Sequence, residues 1–359
     1  MHKVLHNIGK LIYGRGAIAQ APDQLNALRR SENDFVVFII DHYFKGHEVL
    51  EKLQISSQDV VHYIDCDVKE PTTEQVDIVR DQILSEHGLP VCVVGMGGGS
   101  IMDIAKAVSL MLTSEGSSTL YQGLNLIKKP GVYHLGIPTI SGTGAECSTT
   151  AVLTGPEKKL GLKCAWTVFD ELILDPELTQ SVPREHWFYT GMDTYIHCIE
   201  SETGIHKNAF SEAYGEESLK LCREVFSGSN AGQNPENDDK LMIASLFGGL
   251  SLTYSEVGVC HALSYGLSKI LGYRHGYANC VAFQHLEEFY GAAVLEFKDM
   301  LKLNEIELPQ NLSAEWSEEQ INAMAKVAWN LPHMWIHALG YDWEKKLTLS
   351  DIEELYRKL

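Results

Sequence analysis

The sequence predicts an α/β half followed by an all-helical half, and three observations carry that prediction. Short β-branched runs alternate with helical patterns over the first half of the chain. Those runs are continuously apolar rather than alternating, which marks strands buried on both faces of a parallel sheet. Beyond Asp175-Pro176-Glu177-Leu178 the periodicity is helical almost throughout. The expected boundary divides the 359 residues into domains over 1–178 and 179–359, each large enough for its own core.

Residues 35–40 (FVVFII) read as a buried strand ending at Asp41, and 60–64 as a second strand. A helix is predicted over 73–87. Residues 91–94 form a third strand running into glycines, with a helix over 101–112 behind it. A fourth strand over 132–137 is stopped by Pro138. Strands separated by helices of this length imply parallel pairing through crossover connections. In the second half, helical periodicity covers 187–202, 210–226, 241–254 and 262–271, and a helix-rich tail reaches Leu359. The polar stretch 227–237 (SGSNAGQNPEN) is expected to connect two of these helices. A ligand is expected in a cleft between the halves.

With 29 Lys and Arg against 48 Asp and Glu, the net charge is −19. A surface that acidic repels phosphate backbones and anionic lipid, and the densest basic spots are pairs such as Arg29-Arg30 and Lys345-Lys346. Neither a nucleic-acid nor a membrane partner is therefore expected. The eight cysteines include no CxxC pair, and several lie in apolar runs, as Cys92 does. They read as buried thiols in a reducing compartment. Residues 1–7 hold no apolar signal core and no apolar run is long enough for a bilayer, so a cytoplasmic location is expected. Fifteen histidines raise the question of a metal.

Gly95-Met96-Gly97-Gly98-Gly99-Ser100 follows a strand and opens a helix. Glycines let the backbone approach a phosphate, and the free N–H groups of a helix start attract the anion. The same residues also suit a tight strand-to-helix turn with no ligand. They form neither a Walker A loop nor the usual first-strand dinucleotide fingerprint. A second loop, Pro138-Thr139-Ile140-Ser141-Gly142-Thr143-Gly144-Ala145-Glu146, also follows a strand and brings three hydroxyls. Two such loops after neighbouring strands suggest a long phosphate-containing ligand such as a dinucleotide. Asp41, at a strand's carboxyl end, is placed to accept ribose hydroxyls and to repel a 2′-phosphate, which favours NAD over NADP. A solvated strand-end aspartate is the alternative.

Asp193 and His197 are four apart in a helical pattern and share a face. An imidazole and a carboxylate on one stripe make half of a divalent-metal site, or an ordinary exposed pair. His261 (VCHAL) sits in an apolar stretch at a predicted helix start, and His275 (YRHGY) follows fourteen residues later. Taken singly, each reads as a packed core histidine. Taken together, three imidazoles and one carboxylate make a mixed nitrogen and oxygen set with room for a substrate oxygen. His285, His186 and His206 have charged neighbours and read as ordinary packing or surface histidines.

Gly97 to Lys106 (GGGSIMDIAK), the 138–146 loop, Gly191-Met192-Asp193 with His197 and Glu200, His261-Ala262-Leu263 and His275-Gly276 occur in a distinctive order and spacing. In this the chain resembles the iron-containing (group III) alcohol dehydrogenases, from about Ile12 to the His275 segment. The resemblance implies an α/β dinucleotide-binding domain, an all-α metal-binding domain and a homodimer. It places the metal, Fe²⁺ or Zn²⁺, on Asp193, His197, His261 and His275. It places the pyrophosphate on Gly97, Gly98, Gly99 and Ser100, with Asp103, Thr139, Thr143, Lys163 and Leu178 along the rest of the cofactor groove and Ser141 within the hydroxyl loop.

The chain departs from the family pattern at informative positions. Tyr265 stands where many members carry a second histidine thought to relay the proton, and Arg274 replaces the proline before His275. Ile140 replaces the second threonine of the hydroxyl loop. These changes point to a substrate other than a simple short-chain alcohol: Arg274 could set a cation near a carboxylate or sugar hydroxyls, or point away into solvent. The implied reaction is oxidation of a primary alcohol with hydride transfer to a nicotinamide, Tyr265 or a water chain carrying the proton outward. A dehydroquinate-synthase-like enzyme shares the fold, but the helical half is poor in the Lys and Arg clusters such enzymes place in their sites. A non-catalytic nucleotide-binding scaffold is the third reading, opposed by the intact ligand set.

Overall fold

The computed structural model describes residues 6–66 and 70–359; residues 1–5, which open the stretch read above for a signal core, lie outside them. The chain forms two compact units, Met1–Ile140 with Ala145–Gln180, and Ser141–Gly144 with Ser181–Leu359.

The first unit contains β1 (Lys10–Tyr13), β2 (Val36–Asp41), β3 (Val60–Ile64), β4 (Cys92–Gly97), β5 (Gly123–Leu124), β6 (His134–Pro138), β7 (Thr150–Thr154), β8 (Lys159–Lys163) and β9 (Glu171–Leu174). Six of these make one wholly parallel sheet in the order β1-β9-β6-β4-β2-β3. The other three make a small sheet in which β7 and β8 run antiparallel. Three helices accompany them: α1 (Ala21–Leu28), α2 (Thr73–Glu86) and α3 (Gly99–Met111). Val36, Phe38 and Ile40 of β2 pack in one core with Ile18, Ala21 and Leu25, while Val37 and Ile39 are buried on the other face. Burial on both faces is what makes β2 a continuous apolar run. The chain passes from β2 to β3 on one side and returns to β4 on the other, so the carboxyl ends of β2 and β4 flank a topological switch point.

The expected boundaries shift at the carboxyl ends of β4 and β6. β4 runs on through Gly95 to Gly97, and β6 includes Pro138 instead of stopping before it. A proline is tolerated there because the ladder continues through its neighbour, Thr139 donating its N–H to the Gly97 carbonyl at 2.9 Å. Strands β1, β5, β7, β8 and β9 were not foreseen in the sequence. β1 is an exposed edge strand of four residues, and β9 is four buried residues without alternation.

One carboxylate ties several of these elements. Asp59 accepts from both bonds of Arg29 Nη2 (2.6 and 2.8 Å), from Val36 N at the start of β2 (2.9 Å), and from Ser56 N and Oγ (2.9 Å each). Burial alone would raise its pKa, but the Arg29 guanidinium and these N–H donors hold it below the ordinary value. A depressed folded value means stabilisation that is present above the unfolded pKa and lost as pH falls through the folded one. Asp59→Ala is expected to destabilise the protein by about 2–4 kcal/mol at neutral pH. The gap between parent and variant in urea unfolding should close as the pH drops below the aspartate range.

The second unit is helical: α4 (Arg184–Thr203), α5 (Ala209–Ser227), α6 (Pro235–Tyr254), α7 (Val259–Leu271), α8 (His275–Phe283), α9 (Glu287–Tyr290), and further helices to Arg357. Asn208 caps α5 through Phe210 N and Ser211 N, and Asn234 caps α6 through Asn237 N. Helix α6 therefore begins inside the expected 227–237 connector, at a proline suited to the first helical turn. Its core joins Trp187, Tyr195, Phe226, Leu263, Phe283, Trp335 and Tyr356. Among the described residues no single helix is long and apolar enough to cross a membrane, and no cysteine is disulfide-bonded.

Candidate metal centre

Asp193, His197 and Glu200 recur at i, i+4 and i+7 along α4 and so share one stripe. His261 lies in the first turn of α7 and His275 opens α8. Packing of α8 on α4 is close because residue 276 is glycine: a Cβ there would lie 2.8 Å from the Tyr189 carbonyl oxygen. The three helices bring four donor atoms, from Asp193, His197, His261 and His275, within 4.8 Å of one another. Asp193 Oδ1 is 3.4 Å from His197 Nε2 and 3.3 Å from His261 Nε2, and Oδ2 is 3.7 Å from His275 Nε2.

These separations suit a shared ion. Ligand atoms about 2.0–2.1 Å from a tetrahedral cation stand about 3.4 Å apart. Asp193 Oδ2 is buried without a hydrogen-bond partner, a cost that a cation removes. Three nitrogens and one oxygen are a donor set for Fe²⁺ or Zn²⁺ alike. Asp193, His197 and His261 are buried, whereas the His275 side chain is 29% exposed, so the centre has one open side.

The electrostatics separate the members of the cluster. Burial would raise the Asp193 carboxyl, but the imidazoles of His197, His275 and His261 override it and hold it well below the carboxylate range. Burial pushes His197 down to about 4, only partly offset by Asp193. A low value leaves the imidazole available as a neutral donor, the form in which a histidine binds a cation. Burial also acts downward on His261, but Glu200 and then Asp193 outweigh it and lift this group to about 9.

Asn279, one turn after His275, escaped the sequence reading. Its Nδ2 donates to Asp193 Oδ1 at 2.6 Å and lies 3.2 and 3.3 Å from Nε2 of His261 and His275. The i, i+4 spacing to His275 was the available signal. Tyr265 packs its ring edge-on to His275, with centroids 5.9 Å apart. Arg274 is exposed at the N-cap of α8, beside the same histidine. His186, His206 and His285 take no part in the cluster; His206 stacks on His337.

In the first unit Gly97 ends β4 and Gly98 is the N-cap of α3, with no side chain to cap it, so the amides of the first turn, Gly99 and Ser100 included, are uncapped there. A Cβ on Gly97 would lie 2.5 Å from Ile101 Cγ1 and 3.1 Å from Asp41 Cβ, which puts Asp41 and the glycine turn side by side at the switch point. Asp41 Oδ1 also accepts from Tyr43 N at 3.0 Å. Asp103 turns to the small sheet, accepting from Val152 N at 3.1 Å, and burial raises it to about 7 against the pull of Lys106. Lys106 was quoted in the glycine motif without a role; it is fully buried and its Nζ donates to the carbonyls of Ala145, Ser148 and Thr150. Thr139 and Leu178 are buried, and Lys163 ends β8. Ser141, whose buried Oγ has no hydrogen-bond partner, and Thr143 belong to the helical unit.

Comparison with known proteins gives the family. Residues 9–176 match the iron-containing alcohol dehydrogenase model and residues 187–331 match the C-terminal model of the Fe-containing alcohol dehydrogenase family. The chain belongs to the iron-containing alcohol dehydrogenases and is an oxidoreductase acting on alcohols. It is 29% identical to a sulfoacetaldehyde reductase of Bilophila wadsworthia over 77% of this chain and 71% of the relative. It is 27% identical to an NAD-dependent methanol dehydrogenase of Bacillus methanolicus over 77% and 73%. The fold is that of a crystallised 1,3-propanediol oxidoreductase, with a TM-score of 0.85, 20% identity and 99% of both chains covered. It is also that of a sulfoacetaldehyde reductase from Bifidobacterium kashiwanohense in complex with NAD⁺, with a TM-score of 0.80, 21% identity and coverage of 99% and 98%.

Proposed function

We propose that this chain oxidises the primary C8 hydroxyl of 3-deoxy-manno-octulosonate (Kdo), an eight-carbon lipopolysaccharide sugar acid, to the aldehyde, with NAD as hydride acceptor. The observation that carries the oxidative part is the convergence of Asp193, His197, His261 and His275 at ion-sharing distances. A divalent ion held by these four would supply Lewis acidity toward the substrate hydroxyl. The uncapped amides at Gly98 to Ser100 would hold the cofactor's pyrophosphate, and Asp41 its ribose. Lys106 keeps the end of the hydroxyl loop and the chain after it in place by tying down three carbonyls, those of Ala145, Ser148 and Thr150. A relative named as NAD-dependent and a neighbour crystallised with NAD⁺ support that cofactor.

The sugar-acid substrate is supported by the two departures beside His275. Arg274, an exposed residue next to His275, would bring a guanidinium to a carboxylate, and Tyr265, packed edge-on against that imidazole, would carry the proton outward. The protein purified with its metal is expected to form NADH, followed by absorbance, with the eight-carbon sugar acid and at least tenfold less efficiently with ethanol or 1,3-propanediol. Equal efficiency on all three refutes the sugar-acid reading. Turnover without net NADH would favour a hydride returned within each cycle. A homodimer, the family expectation, is tested by light scattering of the same sample.

A further inference from the structure

Glu200 lies on the same stripe of α4 as Asp193 and His197 but faces none of the open side; it is 1% exposed. Its Oε2 is 2.5 Å from His261 Nδ1. Its Oε1 accepts from Cys260 N at 2.7 Å and from Tyr290 Oη at 2.7 Å. Tyr290 Oη in turn accepts from Val259 N at 3.0 Å. Cys260 and Val259 are the first residues of α7, whose N-cap, Gly258, provides no side chain. A carboxylate from α4 and a phenol from α9 thus close the amino end of the helix that presents His261, in place of a local cap.

We propose that Glu200, backed by Tyr290, is the positioning residue of the metal centre: it accepts a hydrogen bond from the Nδ1 proton of His261 and so leaves Nε2, on the side of Asp193, to bind the ion. A carboxylate only accepts, so the proton on the Glu200 side belongs to Nδ1. Asp193 Oδ1 at 3.3 Å and Asn279 Nδ2 at 3.2 Å both face His261 Nε2, the nitrogen left to serve the ion. His197 has no such support, its Nδ1 being buried with no hydrogen-bond partner. A carboxylate behind a ligating imidazole fixes the ring and strengthens it as a donor, and its loss costs about ten- to a hundredfold in metal affinity. The inference rests on the reading of the four residues as metal ligands.

Glu200→Gln separates positioning from capping. The amide oxygen still accepts from Cys260 N and Tyr290, so the fold is kept, while the amide nitrogen donates to His261 Nδ1 and drives the proton onto Nε2. Dissociation constants for Zn²⁺ and Co²⁺, measured by competition with a chromophoric chelator, are expected to weaken at least about tenfold. ¹⁵N spectra of the imidazoles should show one histidine changing tautomer. Tyr290→Phe, which leaves the carboxylate in place, should weaken the same constants about threefold to tenfold. If His261→Ala abolishes binding while Glu200→Gln and Tyr290→Phe stay within twofold of the parent, the positioning role is overturned alone. An unchanged constant in His261→Ala overturns the ligand assignment and the inference together.

Discussion

Replacing His261 with alanine is expected to strip the protein of stoichiometric metal and to lower alcohol turnover about a thousandfold, the scale of several kcal/mol of lost Lewis-acid assistance. His261 is buried and faces two carboxylates, Asp193 at 3.3 Å and Glu200 at 2.5 Å. Without the imidazole, three of the four candidate donors would remain, one of them the partly exposed His275. Dinucleotide binding, read by fluorescence titration, should persist, because the glycine turn and Asp41 belong to the other unit. Elemental analysis and steady-state kinetics on one preparation decide the matter. A metal-free His261→Ala protein with full activity would discard the metal-centred reading altogether.

Gly142→Ala is expected to have the largest effect on folding. Residue 142 has φ +144°, and a Cβ there would lie 1.8 Å from the Thr190 carbonyl oxygen and 2.2 Å from its carbon. Both are backbone atoms of α4, three residues before Asp193, so neither can swing aside. The glycine is also pinned from both sides: its N–H donates to Ser245 Oγ and its carbonyl accepts from Thr194 Oγ1, each at 2.8 Å. Backbone strain combined with a hard contact puts the cost at about 4 kcal/mol or more. The urea midpoint should fall accordingly, with metal content falling as α4 shifts. An unfolding free energy within about 1 kcal/mol of the parent would mean that the loop finds another path.

The parts legible in the sequence were those with a local period. Helices α4, α5 and α7 appear as apolar patterns, and the pairing of Asp193 with His197 follows from a spacing of four. β2 and β4 appear as apolar runs because both of their faces are covered. The strands β1 and β9 did not appear: four residues are too few to show a period, and their pairing joins Lys10 to Glu171 across most of the unit. The β7 and β8 hairpin was hidden for a related reason, since its inner positions include Gly161, which carries no apolar signal. In the centre itself, Glu200 was visible as part of a motif but without a role, and Tyr290 gave no sign at all.

Element types and the glycine turn were therefore set by the order of residues along the chain, because backbone hydrogen bonding and side-chain periodicity act over a few positions. The union of His261 and His275 with Asp193, and of Glu200 with an imidazole 61 residues away, was decided by tertiary packing alone. Such contacts depend on how closely α7 and α8 approach α4, a distance that rests on residues like Gly276 and the buried core around them and that no sequence interval encodes.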